Sequence, residues 1–197
     1  GTNTSIVANI NPSGDSYPDD FVVFNNELYF SATDGTNGEE LWKYDGTNAP
    51  SMVADINLGS SSNPGHLTVF NNELYFVADD GTNGEELWKY DGVNAPSMVA
   101  NINPSGDSID NYRSSCFTVF NNELYFKAND GTNGHELWKT DGTTLGTVIV
   151  ADINPNGDGL YAASKHSCAV FNNELYFQGN DGTNGDELWK TDGTALG

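Results

Sequence analysis

The chain has 197 residues, of which 28 are acidic and only seven are Lys or Arg, so its formal net charge is −21. This length fits one compact domain that can bury a core of its own. So little positive charge excludes a phosphate-neutralising surface, and we expect neither nucleic-acid binding nor insertion into a membrane. The 10 Phe, nine Tyr and four Trp need burial, which excludes a disordered acidic tail.

Four copies of one unit make up nearly the whole sequence. Each copy contains the heptapeptide Phe-Asn-Asn-Glu-Leu-Tyr-Phe, and a tryptophan follows it at a constant distance. The heptapeptides begin at Phe24, Phe70, Phe120 and Phe171, and the tryptophans are Trp42, Trp88, Trp138 and Trp189. Repetition at this period is typical of propellers and solenoids.

The elements of the first unit are all strands and turns. Short apolar or alternating runs predict the strands, and Asn-Asn, Asp-Gly and Asn-Gly pairs predict the turns between them. In chain order the strands are 21–24, 27–33, 40–44 and 51–56, with turns at 25–26, 34–38 and 45–46. No window has the 3.6-residue apolar period of a helix.

Four short strands in each unit predict an all-β fold, a four-bladed β-propeller in which every blade is a four-stranded antiparallel sheet. The whole chain, 1–197, is then a single domain. Its blades are expected at 21–56, 67–102, 117–153 and 168–192, with 5–10 added to the last. The run Ser5–Ile10 resembles a fourth strand and is expected to complete that blade and close the ring. The alternatives are exchange of this strand between molecules, which gives a homo-oligomer, or half of an eight-bladed ring.

The end of the third strand carries a specific signature. The strings that begin at Glu40, Glu136 and Glu187 read Glu-Leu-Trp-Lys-x-Asp-Gly-Thr, and the string at Glu86 departs only in its last residue, Val93. They resemble the ELWxxDGT repeat family, and the resemblance covers all four units. It implies a secreted or surface-attached β-propeller and supplies no activity.

Residues that differ between the copies gather in two sets of loops, which a propeller places on one face. One set differs at Glu39, Glu85, His135 and Asp186, and the other comprises 11–20, 57–66, 103–116 and 154–167. Variable loops on a rigid scaffold are a common way to build a binding surface, although loops also vary without a function. The candidate ligand-binding residues are Tyr17, His66, Tyr112, Arg113, His135, Tyr161, Lys165 and His166.

The last of these loops also resembles the opening of a calcium loop. Asp152, Asn154, Asn156 and Asp158 place oxygen ligands at alternate positions before Gly159. Against this, Ala163 stands where the bidentate Glu should be, and Asn-Pro-x-Gly-Asp also makes a good turn through Asx hydrogen bonds. Calcium is therefore the only cofactor that the sequence suggests, and a plain turn is the alternative.

Two cysteines, Cys116 and Cys168, are equally compatible with a disulfide and with buried thiols. The sequence has no nucleophile elbow, phosphate loop or zinc-spaced cluster, so we expect no enzyme. The function predicted is an extracellular or cell-surface module for protein interaction, adhesion or assembly. The alternative is a lectin-like propeller that binds a glycan at the loop face, with or without calcium.

Overall fold

The computed structural model describes residues 3–110, 116–161 and 168–194, which form only strands, turns and loops. The fifteen strands are β1 (Asp19–Phe24), β2 (Glu27–Thr33), β3 (Glu39–Tyr44), β4 (Ser51–Ala54), β5 (Gly65–Phe70), β6 (Glu73–Asp79), β7 (Glu85–Tyr90), β8 (Ser97–Ala100), β9 (Thr118–Phe120), β10 (Glu123–Asn129), β11 (His135–Thr140), β12 (Val148–Ala151), β13 (Cys168–Phe171), β14 (Glu174–Asn180) and β15 (Asp186–Thr191). No described segment is a helix that could cross a membrane.

Strands that are consecutive in the chain pair antiparallel and form four separate sheets, which we call blades. Blade 1 is β1–β4, blade 2 is β5–β8, blade 3 is β9–β12 and blade 4 is β13–β15. The first hairpin of blade 1 turns at Asn25 and Asn26, whose φ angles are 49° and 63°, as a type I′ turn requires. The predicted all-β, bladed architecture is therefore confirmed.

The predicted completion of blade 4 was wrong in this structure. Blade 4 has three strands, and residues 5–10 are assigned to none. Ile6 is 81% exposed and Val7 is 64% exposed. These side chains lack the sheet that would cover them, because the segment pairs with no strand and it is Ile10 at its end that packs on blade 1. Among the described residues, the last strand of blade 4 consequently has an open edge, and the sheets form no closed ring.

The core lies between neighbouring blades. We call the surface that a blade turns toward the next one its forward face, which in blade 1 includes Phe24, Tyr29 and Leu41. The opposite surface is the back face, which in blade 2 includes Phe76 and Trp88. These five side chains belong to one buried cluster between blades 1 and 2. Equivalent clusters join blades 2 and 3 and blades 3 and 4. Trp88, Trp138 and Trp189 fill the spaces between blades as predicted, whereas Trp42 packs within blade 1 and against Ile10.

Cys116 and Cys168 form a disulfide, which decides between the two alternatives that the sequence left open. Cys116 precedes β9 of blade 3, and Cys168 begins β13 of blade 4. The bond therefore links blades 3 and 4 covalently at the starts of their first strands.

Candidate functional site: the loop face

The loops between blades are bound to the start of the third strand of the blade before them. The same backbone hydrogen bond recurs three times: Ser62 N to Glu39 O (3.0 Å), Ser108 N to Glu85 O (2.9 Å) and Gly159 N to His135 O (3.0 Å). The described residues of both variable sets thus lie at one end of the sheets. We call this end the loop face; among the described residues it comprises 11–20, 57–66, 103–110, 116 and 154–161 with Glu39, Glu85, His135 and Asp186.

A buried glutamate fixes each of the first two loops. Glu40 Oε2 accepts hydrogen bonds from Ile56 N at 3.1 Å and from Ser62 Oγ at 2.6 Å. Glu86 accepts the equivalent bond from Ser108 Oγ, also at 2.6 Å. Burial raises the pKa of both carboxyl groups, and the serine hydroxyls oppose that rise. These glutamates hold the loops in place.

The third copy of this glutamate has weaker support. Glu136 accepts from the backbone N–H groups of Ile153 at 3.0 Å and Asn154 at 3.4 Å, but Gly159 stands where the other loops have serine. Because the hydroxyl donor is missing, burial raises the pKa of Glu136 to about 7. The fourth copy, Glu187, is exposed because blade 4 lacks a fourth strand.

The loop suggested for calcium is built as a turn. Asn154 Nδ2 donates to Asp158 O at 3.1 Å, and Asn154 Oδ1 accepts from Asn156 N at 3.3 Å. Asp158 Oδ1 accepts from His135 N at 2.8 Å, whereas Asp152 is exposed. Among residues 3–110, 116–161 and 168–194, no three His, Cys, Asp or Glu side chains are grouped closely enough to hold a metal ion. The hydrogen bonds of Asn154 and Asp158 favour the plain turn.

His66 of blade 2 contacts blades 1 and 3 at the loop face, the first through its backbone N–H and the second through its imidazole ring. His66 N donates to Asp20 Oδ2 at 2.6 Å, and the His66 ring stacks on Phe117 with 5.0 Å between ring centroids and 9° between the planes. Burial lowers the pKa of His66, against the opposing effects of Asp20 and of a hydrogen bond with the Asp110 backbone. His66 Nε2 is buried and has no hydrogen-bond partner among the described atoms. We call Asp20, His66, Asp110, Phe117 and Lys127 the inner mouth.

The inner mouth extends toward blade 4 through charged groups. Lys127 is 4% exposed, and its charge acts on both His66 and Asp158. His135 Nδ1 lies 3.0 Å from Asp158 Oδ1. Burial of Asp158 would raise its pKa, but the backbone N–H and the imidazole of His135 outweigh that effect and lower it. Two candidate residues, His66 and His135, are thus in contact with carboxylate groups at the same face.

The remaining candidates divide into exposed tyrosines and residues outside the described chain. The Tyr17 side chain is 68% exposed and that of Tyr161 is 46% exposed, and both precede first strands at the loop face. Tyr112, Arg113, Lys165 and His166 lie outside the described residues.

Sequence reasoning missed a Tyr–Glu–Lys contact that recurs in every blade. In blade 1, Tyr29 Oη donates to Glu27 Oε2 at 2.9 Å, and Lys43 Nζ lies 3.2 Å from the same oxygen. Equivalent ion pairs join Lys89–Glu73, Lys139–Glu123 and Lys190–Glu174. Tyr29 and Lys43 are direct cross-strand neighbours, so the register of the β2–β3 hairpin was the available signal.

No family model and no curated protein matches the chain. It is similar to a puromycin-hydrolysing peptidase of Mycobacterium tuberculosis, with a TM-score of 0.55 and 16% identity over 92% of this chain and 28% of that one. It is also similar to an α-L-arabinofuranosidase of Clostridium thermocellum, with a TM-score of 0.38 and 15% identity over 92% of this chain and 70% of that one. It is also similar to the catalytic domain of an α-L-arabinofuranosidase of Coprinopsis cinerea, with a TM-score of 0.42 and 15% identity over 92% of this chain and 66% of that one.

The expectation that the chain is no enzyme is contradicted by the comparison with the puromycin-hydrolysing peptidase, because that similar structure is an enzyme. That expectation rested on missing motifs, and such motifs represent only some of the known catalytic arrangements. The likeness shows the fold alone, and the chain spans just over a quarter of the peptidase. The resemblance to the ELWxxDGT family stays a prediction.

Proposed function

We propose that this chain is a carbohydrate-binding β-propeller whose ligand contacts the loop face. The inner mouth is the observation that carries the proposal. It combines a stacked His66–Phe117 pair with the carboxyl groups of Asp20 and Asp110, and exposed Tyr17 and Tyr161 lie on the same face. Aromatic faces can pack on the C–H surfaces of sugars while carboxylates accept hydrogen bonds from hydroxyl groups.

The charge of the chain favours a neutral ligand. At a net charge of −21 the protein repels anions. Of the described Lys and Arg side chains, only Lys127 takes no part in the four Tyr–Glu–Lys contacts, and it is almost completely buried. A neutral polysaccharide or oligosaccharide fits this surface better than a phosphorylated or sulfated one does.

The site of action that we propose is outside the cell. The Cys116–Cys168 disulfide supports this location because such bonds persist in oxidising compartments. The resemblance to the ELWxxDGT family also implies secretion or surface attachment, and we propose membership of that family on the four Glu-Leu-Trp-Lys strings.

The test is binding of neutral glycans on an array, followed by titration calorimetry with the best ligand. Tyr17→Ala and Tyr161→Ala should each weaken binding by up to about tenfold, since an aromatic contact is worth about 0.5–1.5 kcal/mol. Leu145→Ala is the matched control. Leu145 is 94% exposed in the turn between β11 and β12, away from the loop face, so its removal should leave affinity unchanged.

A protein that binds no neutral glycan would contradict the proposal. Binding that all three variants retain in full would also contradict it, because the ligand would then lie elsewhere. Thermal unfolding of each variant checks that the folded state is the same.

A further inference from the structure

Blade 4 has an apolar forward face that the described residues leave uncovered. Phe171 is 62% exposed, whereas the equivalent Phe24, Phe70 and Phe120 are 3–4% exposed. Leu188 is 77% exposed, whereas the equivalent Leu41, Leu87 and Leu137 are 0–1% exposed. In blades 1–3 these side chains are covered by the back face of the next blade.

The edge of blade 4 is open in the same region. In blades 1–3 the third strand pairs with a fourth, but β15 pairs with β14 alone among the strands that the structure describes. A shallow groove follows this edge and is lined by Asn184, Glu187, Leu188, Trp189 and Lys190. An unpaired edge beside an exposed apolar face is a site at which another strand can add.

The segment 5–10 has the sequence of the strand that blade 4 lacks. Ser-Ile-Val-Ala-Asn-Ile matches Ser-Met-Val-Ala-Asp-Ile at 51–56, and the structure assigns it to no sheet. Its C-terminal end is held by blade 1, where Ile10 packs on the cluster of Phe30, Ala32 and Trp42. Its N-terminal end projects exposed Ile6 and Val7 into solvent.

The back face of blade 1 is the complement of the forward face of blade 4. Phe30 and Trp42 correspond to Phe76 and Trp88, which cover the forward face of blade 1. Apart from Ile10, the cluster around Phe30 and Trp42 contains only residues of blade 1. Phe30 and Trp42 are themselves only 4% and 8% exposed within one chain, but Phe21, which packs on Phe30, is 58% exposed and leaves part of this back face open to a second molecule.

We propose that the occupant of the blade 4 edge is a second copy of this chain. Residues 5–10 of one copy pair antiparallel with β15 of the other, and the back face of blade 1 covers Phe171 and Leu188. The register follows from blade 1, in which Trp42 faces Met52 and Lys43 faces Ser51. Trp189 then lies opposite Ile6, and Lys190 lies opposite Ser5.

The charge of the chain sets how this contact responds to salt. Each copy carries a formal net charge of −21, so association brings two strongly negative molecules together. Salt screens that repulsion, while the strand pairing and the apolar contact are not ionic. Association should therefore strengthen as ionic strength rises, which distinguishes it from binding through ion pairs.

The first test is the mass of the full chain in solution, measured by light scattering and sedimentation over a range of protein and salt concentrations. We expect a dimer or a larger assembly that forms with rising concentration and forms more readily in high salt. A chain that remains monomeric at high concentration and high salt overturns the proposal.

Substitutions locate the contact. Val7→Asp and Leu188→Asp place a charge at exposed positions on its two sides, so each should weaken association at least tenfold without unfolding the protein. Leu145→Asp is the control, because Leu145 is even more exposed and lies in the turn after β11. Equal effects of all three variants would overturn the proposal, as charge alone would then explain the result.

A disulfide test distinguishes exchange between copies from closure within one chain. Ser5→Cys and Lys190→Cys are prepared separately and mixed under mild oxidation, and we expect a covalent heterodimer. The double variant Ser5→Cys/Lys190→Cys at high dilution tests the alternative, in which the segment closes the ring of its own chain. If its new disulfide forms within a monomer and the mixed single variants do not cross-link, residues 5–10 close their own ring and the second copy is excluded.

Discussion

Leu87 in blade 2 and Leu188 in blade 4 occupy the same position of the repeated Glu-Leu-Trp-Lys strand, yet Leu87 is completely buried and Leu188 is 77% exposed. The preceding glutamates differ in the same way, since Glu86 is buried and Glu187 is exposed. Identical local sequence thus has two environments, because burial comes from the next blade and from the fourth strand. Comparing the two blades therefore measures how much a neighbouring blade and a fourth strand contribute to stability.

The largest effect is expected from truncating this leucine in both blades. Leu87→Ala should destabilise the protein by about 2–5 kcal/mol, because it leaves a cavity between blades 2 and 3. Leu188→Ala should change stability by about 0.5 kcal/mol or less, as expected for an exposed position. Urea unfolding of both variants measures the difference. The measurement is made at low protein concentration, because the association proposed above would cover blade 4 at high concentration. Equal losses of stability in the two variants at low concentration would show that Leu188 is covered within the single chain.

The disulfide should give the next largest effect, and it acts at the boundary of blade 4. Cys116 and Cys168 are separated by 52 residues, and closing a loop of this size stabilises a protein by about 2–4 kcal/mol. The double variant Cys116→Ser/Cys168→Ser should lose that amount in chemical unfolding and should be cleaved by protease first in blade 4. An unchanged midpoint would mean that the contact between blades 3 and 4 needs no covalent link.

A smaller change in stability is expected from the hydrogen bond that anchors the loop before blade 3. Ser108→Ala removes the hydroxyl that donates to buried Glu86 at 2.6 Å, so it should cost about 1–3 kcal/mol. Ser105→Ala lies in the same loop on an exposed side chain and should have almost no effect. Thermal unfolding of the pair measures the value of the anchor. A loss for Ser105→Ala as large as that for Ser108→Ala would assign the effect to the loop backbone and not to the hydroxyl.

The sequence predicted the parts of this structure that depend on local chemistry. Asn25 and Asn26 predicted a hairpin because asparagine tolerates positive φ. Three of the four repeated Trp positions predicted the spaces between blades, but Trp42 packs within blade 1. Burial of Glu40 was not predicted, because its partner Ser62 lies 22 residues away and only the packed loop brings them together. The unpaired segment 5–10 was misplaced for a related reason: its pattern specifies a fourth strand but not the sheet that it joins.

The candidate site was predicted less completely than the fold. Variation between the copies selected His66 and His135, but it did not identify Asp20 as the residue that binds His66. Asp20 and His66 are 46 residues apart and meet only because equivalent positions of adjacent blades are neighbours. The calcium pattern at Asn154 was ambiguous because Asx turns and calcium loops use the same residue types at the same spacing.

The smallest expected effect is on the pH dependence of stability, which reports the titration of the Glu136 carboxyl. The pKa of this carboxyl is about 7 in the folded protein and near its usual 4.5 when unfolded, so the folded state binds the additional proton between these values. The stability that Glu136 contributes is therefore fully present below pH 4.5 and is lost as the pH rises through 7. In Glu136→Gln this loss is absent, so between pH 5 and pH 7 the wild-type protein should lose on the order of 1 kcal/mol more stability than the variant.

Glu187→Gln is the matched control at the exposed position of blade 4 and should keep the wild-type dependence of stability on pH. Parallel stability curves for wild type and Glu136→Gln would show that another donor in solution replaces the hydroxyl that Gly159 lacks.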